Sequence, residues 1–188
     1  MPRVLIAAIT AAMLALLIGP KFIAWLRANE VGQFVRPPGL IPAAHAQKQG
    51  TPTMGGLLIL FGTLVPFVIL SSRSTEAMLV LFTALACGAL GFLDDWRKIV
   101  RKRSLGLSGR LRPLGLLGTA AVLTTVAIQV VGLPTTLPSP VVDESLDVGP
   151  WLYFVIVFLV VAASTNAVNL RVGLDGLAGG VAAIVLFA

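Results

Sequence analysis

The sequence predicts an all-α fold, a polytopic bundle of transmembrane helices. Three observations carry this. Of its 188 residues, 57% are hydrophobic and only 12% are charged, about half the ~25% charged content of an ordinary soluble domain. The apolar residues fall in blocks long enough to cross a bilayer. The basic residues gather in alternate connections between those blocks, as in a multi-pass protein. The same composition excludes a disordered chain. Cys87 is the one cysteine, so a disulfide framework is excluded as well, and its apolar surroundings assign it to packing.

A spanning helix needs about 20 mostly apolar residues, each rising ~1.5 Å, to cross a ~30 Å hydrocarbon core. Five blocks qualify, from about Val4 to Trp25, Met54 to Ser71, Ala77 to Leu93, Leu114 to Leu133 and Trp151 to Val168. The first does not read as a cleavable signal peptide. Its apolar stretch exceeds the usual length, and Gly19-Pro20-Lys21 follows in place of a small-residue cleavage site. The third contains Ala84, Gly88 and Gly91, small residues that let helices approach closely and are assigned to packing. The segment from Pro134 to Pro150 is Pro-rich and acidic and reads as an exposed loop. A sixth block starts near Gly176 and reaches Ala188 before it is long enough to cross. The expectation is therefore that residues 1–188 are the N-terminal part of one larger integral-membrane domain.

Orientation follows from charge. The connection after the first block carries Lys21, Arg27, Arg36 and Lys48. The one after the third carries Arg97, Lys98, Arg101, Lys102, Arg103, Arg110 and Arg112, and the one after the fifth carries Arg171. Only Arg3 and Arg73 fall on the other side, with Glu76, Asp143, Glu144 and Asp147. Basic loops remain inside, so these three connections are expected in the cytoplasm and the N-terminus outside. The net charge of +6 then reflects membrane topology. A nucleic-acid partner is not expected, because the basic run has one aromatic, Trp96, and no recognisable nucleic-acid module.

Three polar segments on the cytoplasmic side carry chemistry. The first, His45 to Gly56, leads into the second block. Lys48 offers a mobile point charge suited to phosphate, and Gly50, Gly55 and Gly56 allow close backbone approach. It can equally be a turn with an anchoring lysine. The second, Gly91 to Lys98, ends an apolar block in Asp94 and Asp95. Carboxylates at such depth face a cavity or a partner. Consecutive helical positions differ by about 100°, so the two are expected to differ in role, one acting on a proton and the other binding metal or a cation. The bland alternative pairs both with Arg97, Lys98 or Arg101 at the membrane surface. The basic run beyond them can anchor to anionic headgroups or hold a phosphorylated substrate. The third, Asn166 to Gly180, places Asn166 and Asn169 on one helix face and Asp175 in a glycine-rich stretch, where it either binds a ligand or caps a helix. Carboxylates, amides, a lysine and glycines on one membrane face suit the joining of a soluble anionic substrate to a lipid. A divalent cation is expected where carboxylates approach phosphates.

These three segments, in this order, resemble the polyprenyl-phosphate N-acetylhexosamine-1-phosphate transferases, and among them the phospho-N-acetylmuramoyl-pentapeptide transferases. The resemblance runs from about Gly19 to Gly180. Its most specific part is Lys48 to Gly56, where Thr53-Met54 favours the muramoyl-pentapeptide branch. Gly91 to Asp95 with Gly106-Leu107-Ser108, then Asn166 to Leu170 and Gly173 to Ala178, complete it. The resemblance implies transfer of phospho-N-acetylmuramoyl-pentapeptide from its UDP conjugate to undecaprenyl phosphate. The products are lipid I and UMP, the cofactor is Mg²⁺, and the site is the cytoplasmic face of the bacterial inner membrane. It implies catalytic roles for Asp94, as base or carrier-phosphate residue, and for Asp95, as its partner near the metal. Lys48 would contact phosphate, Lys98 would steady the carrier phosphate, and Asn169 and Asp175 would line the nucleotide-sugar site. A homodimer is also implied.

The chain departs from the family pattern at two places. Arg171-Val172 stand where the family has Thr-Asp, and Leu105 stands where a lysine commonly precedes Gly-Leu-Ser. The family's later half carries a further aspartate for Mg²⁺ and a histidine-rich loop beyond the equivalent of Ala188, so residues 1–188 alone are expected to be inactive. Two rival readings are a transferase using UDP-GlcNAc and a non-catalytic membrane fragment. A transporter is disfavoured, since no broken-helix pair or internal symmetry is visible.

Overall fold

The computed structural model describes residues 2–29, 53–101, 106–138 and 145–171. Its elements are α1 (Pro2–Ala28), α2 (Gly56–Leu70), α3 (Thr75–Val100), α4 (Leu111–Gln129), β1 (Thr136–Pro138), β2 (Ser145–Asp147) and α5 (Gly149–Arg171). They divide into two compact units, Met1–Arg112 and Pro113–Ala188. The sixth apolar block, 176–188, lies outside the described residues.

Helices α1, α3, α4 and α5 are each long and apolar enough to cross a membrane. Their large apolar side chains point outward, among them Leu16, Leu17, Val80, Val160 and Trp151. Water would penalise such a surface, whereas lipid tails do not. The fold is all-helical and of membrane type.

Two elements differ in length from the sequence expectation. The second block becomes a helix of only 15 residues, roughly 22 Å long. Met54, at φ 70°, turns the backbone just before it. Ser71, extended at φ −73° and ψ 142°, ends it. The Arg73 guanidinium then donates to the Val68 carbonyl (3.2 Å), satisfying one of the acceptors that a helix end leaves open. Helix α3, in contrast, outruns its apolar stretch and continues through Asp94 and Asp95 to Val100. Its start is capped by the Ser74 hydroxyl, which accepts the Ala77 N–H (3.3 Å), with Glu76 in the first turn. Arg97 and Lys98 lie in its last turn, where cations complement the helix dipole. Hydropathy marks where lipid contact ends; capping and charge pairing decide where the helix ends.

In the first unit α2 packs against both α1 and α3, and glycines set the approach. A Cβ at Gly19 of α1 would meet the Leu58 side chain at 3.3 Å, and one at Gly62 of α2 would meet the Ala11 carbonyl at 3.4 Å. These pairings run in opposite chain directions, so α1 and α2 are antiparallel. On the other flank Gly88 of α3 lies under Leu60, whose Cδ1 is 2.5 Å from where a Cβ would stand. Without a hydrophobic drive between helices in lipid, such close packing supplies the cohesion. The packing role expected for Gly88 is therefore observed, while a Cβ at Gly91 would meet nothing within 4 Å among the described residues.

In the second unit, α4 buries Leu116, Thr119, Ala120, Thr124 and Ala127, a stripe at helical spacing. Gly132, at φ +75°, turns the chain after it, and the Leu133 N–H returns to the Ala127 carbonyl (3.0 Å). The connection expected as a loop contains an antiparallel pair, Thr136 opposite Asp147 and Pro138 opposite Ser145. The Asp147 carboxylate ties its base to α5 by accepting the Thr135 hydroxyl (2.5 Å) and the Gly149 N–H (3.0 Å). Those two donors hold its carboxyl below the usual range.

The glycine packing predicts a specific pair of outcomes. Gly88→Leu should overpack the α2–α3 contact and cost about 1–3 kcal/mol, while Gly91→Leu should be close to neutral. Thermal unfolding in one detergent measures both, and Leu60→Ala should restore part of the Gly88→Leu loss.

Candidate active site

The last turns of α3 bring Asp94, Asp95 and Lys98 together. Asp94 and Lys98 are four residues apart and share a helix face, and the Lys98 Nζ lies 2.6 Å from Asp94 Oδ2. The same ammonium donates to Asp95 Oδ1 at 3.0 Å. Lys98 thus bridges the ~100° between consecutive helical positions. Of the three cations offered as partners by the sequence, Lys98 is the one that pairs with both acids among the described residues. Two carboxylates and one ammonium leave the cluster with one net negative charge.

The two acids occupy different environments. Asp94 is buried, at 8% exposure, whereas the Asp95 side chain is about one-third exposed, at 32%. Asp94 has a second partner from outside its helix: its Oδ1 accepts the Leu107 backbone N–H at 2.8 Å. Gly106, one residue earlier, sits so close to the carboxylate that a Cβ there would overlap it. Both oxygens of Asp94 are therefore engaged. At Asp95 the described hydrogen bonds reach Oδ1 only. The two acids thus differ in burial and in partners, and both pair with Lys98, as the bland reading of the sequence has it.

Gly106 and Leu107 were noticed in the sequence only as part of a motif. A backbone amide has no side-chain signature, so its contact with Asp94 was not foreseeable. The stacked rings of Phe92 and Trp96, with centroids 5.9 Å apart, share a neighbouring stripe of α3.

Asn169 lies in the final turn of α5, in the second unit, and is exposed. Asn166 precedes it by three residues and donates to the Ala162 carbonyl (2.8 Å). Lys48, Val172 and Asp175 lie outside the described residues, as do Leu105 and His45. Among the described residues no three His, Cys, Asp or Glu side chains cluster as a metal site.

Residues 77–188 match the family model described as glycosyl transferase family 4, a span that includes the Asp94–Lys98 cluster and all of α4 and α5. The chain belongs to glycosyl transferase family 4. Residues 48–60 also match a signature described as phospho-N-acetylmuramoyl-pentapeptide-transferase signature 1, which ends inside α2. Curated relatives called phospho-N-acetylmuramoyl-pentapeptide-transferase agree across most of the chain. That of Bacillus pumilus is 39% identical over 176 residues, covering 92% of this chain and 53% of its own length. That of Symbiobacterium thermophilum is 40% identical over 182 residues, covering 95% and 54%. That of Desulforudis audaxviator is 41% identical over 198 residues, covering 98% and 59%. The chain thus spans about half the length of the curated relatives it matches.

The pairing at this family 4 cluster predicts non-additive stability effects. Lys98→Met leaves a buried carboxylate without its cation and should cost about 1–3 kcal/mol. Adding Asp94→Asn removes the stranded charge and should recover part of that loss. The four-variant cycle of thermal unfolding in detergent measures the coupling; strictly additive losses would mean that the two side chains are independent.

Proposed function

We propose that this chain supplies part of the catalytic site of a membrane transferase that makes lipid I. In this reading it moves phospho-N-acetylmuramoyl-pentapeptide from its UDP conjugate to undecaprenyl phosphate and releases UMP. The observation that carries the reading is the Asp94–Lys98–Asp95 cluster at the end of an apolar helix, inside the family 4 match. The signature at residues 48–60 and the names of the relatives support the substrate pair.

The chemistry is a phosphoryl exchange. An oxygen of the carrier phosphate attacks the sugar-linked phosphorus of the nucleotide and forms a new P–O bond. The bond from that phosphorus to the UMP oxygen breaks, and UMP leaves with the electron pair. Little covalent work falls to the protein, so positioning and charge stabilisation dominate. Lys98 meets the carrier phosphate as a point charge, with Lys48 as a second phosphate contact. Asp94 acts beside the carrier phosphate, held in place by its two partners. Asn169 and Asp175 line the nucleotide-sugar site.

Mg²⁺ takes one or two carboxylates together with phosphate oxygens and water. Asp95 fits as one such ligand, because it is part-exposed and Oδ2 is unengaged among the described residues. The described residues do not complete the site, and the remaining donors would come from phosphate, water or other residues. When bound, the ion neutralises the charge that develops on the phosphates.

The protein is proposed to lie in the bacterial inner membrane with its N-terminus outside and this cluster on the cytoplasmic side. The basic residues at the end of α3, Arg97, Lys98 and Arg101, support that orientation.

The test measures UMP release by the complete enzyme in nanodiscs with both substrates and Mg²⁺. Asp94→Asn and Asp95→Asn should each lower kcat by about 100-fold or more, and chelation of Mg²⁺ should stop turnover. Equal UMP release from UDP-GlcNAc would refute the muramoyl-pentapeptide assignment. Topology has its own check, in a Cys87→Ala background. An impermeant thiol reagent applied to intact cells should label a cysteine at position 143 and miss cysteines at 48 and 94; the reverse pattern would overturn the orientation.

A further inference from the structure

We propose that Gly106 and the Leu107 backbone amide form a clamp that positions the Asp94 carboxylate for the reaction, which makes Gly106 a positioning residue of the site. This rests on the functional reading above and goes beyond its motif residues, all of which act through side chains.

Three observations carry it. First, the Leu107 N–H reaches Asp94 Oδ1 at 2.8 Å across 13 residues of sequence. It is a contact between separate segments and not a helical bond. Second, a Cβ at position 106 would overlap the Asp94 carboxylate, so the segment can close on Asp94 only if residue 106 has no side chain. Space therefore requires glycine there. Third, Gly109, three residues on in the same segment, has nothing within 4 Å of a Cβ among the described residues. The requirement for glycine is confined to the residue facing the carboxylate.

The clamp decides which way the carboxylate turns. With Oδ1 held by the amide, Oδ2 faces the Lys98 ammonium at 2.6 Å. A carboxylate held only by Lys98 could rotate about its terminal torsion, which is broad and roughly two-fold. The amide removes that freedom from the other side. A positioned group loses rate rather than affinity when it is released, because the misplacement is felt in the transition state.

The experiment uses the complete enzyme in nanodiscs with Gly106→Ala, Gly109→Ala, and a variant in which Leu107 is replaced by its α-hydroxy acid. The last keeps the leucine side chain and the space at Gly106 but removes the N–H. Gly106→Ala and the Leu107 ester should each lower kcat for UMP release by about tenfold or more, the effect of losing a hydrogen bond to a charged group. KM for both substrates should stay within about twofold. Gly109→Ala should match the unmodified enzyme. In an Asp94→Asn background the ester should cause no further loss, because the amide acts through Asp94. Unchanged kcat in either the Gly106→Ala or the ester variant would overturn the clamp, as would an equal further loss from the ester after Asp94→Asn. Absence of UMP release from the unmodified enzyme would instead sink the functional reading on which the clamp rests.

Discussion

A carboxylate buried at the end of a membrane helix is the constraint around which the described site is organised. Ionised and unpaired, Asp94 would be expensive to hold beside hydrocarbon. The structure offsets that cost with two donors, the Lys98 ammonium and the Leu107 amide. Each donor imposes a further condition. Lys98 can reach Asp94 only if α3 stays helical for another turn past its apolar stretch. Leu107 can reach it only if the chain returns over the helix end with a glycine at the point of contact. The length of α3, the residue type at 106 and the pairing of Asp95 all follow from placing one acid there.

Packing in the first unit follows from a second constraint, the weakness of hydrophobic association in lipid. Helix α2 meets α1 through Gly19 and Gly62 and meets α3 through Gly88. Close backbone approach replaces the solvent-driven burial of a soluble core. Most large apolar side chains consequently stay on the outside, and few residues qualify as fully enclosed. The contact between Gly88 and Leu60 also steadies the helix whose far turns carry the two acids.

Much of this was legible in the sequence, for physical reasons specific to each residue. Runs such as 77–93 and 151–168 announce membrane helices because each is mostly apolar, free of charge and long enough to cross a bilayer. Asp94 and Asp95 stood out because charge after such a run has to be accounted for. Gly88 could be assigned to packing, but Gly91 could not be separated from it, since only three-dimensional context tells a crowded glycine from an open one. The shortness of α2 was hidden because hydropathy does not register the backbone turn at Met54. The hairpin between β1 and β2 was hidden by its length, as three-residue strands show no alternation. The amide of Leu107 had no signal at all. Lys48 and Asp175, prominent in the sequence, lie outside the described residues, and their part in the site stays a proposal.

The length of α2 has a consequence for the surrounding lipid. A helix of roughly 22 Å beside neighbours long enough for a ~30 Å core leaves about 8 Å of hydrophobic mismatch. Bilayers meet such a deficit by thinning locally or by letting flanking polar groups draw water and headgroups inward. Thr53 lies at one end of α2, and Ser71 with Arg73 at the other. Where α2 meets lipid, the bilayer has to make up that difference. Acyl-chain length thereby becomes a physical variable acting on the protein.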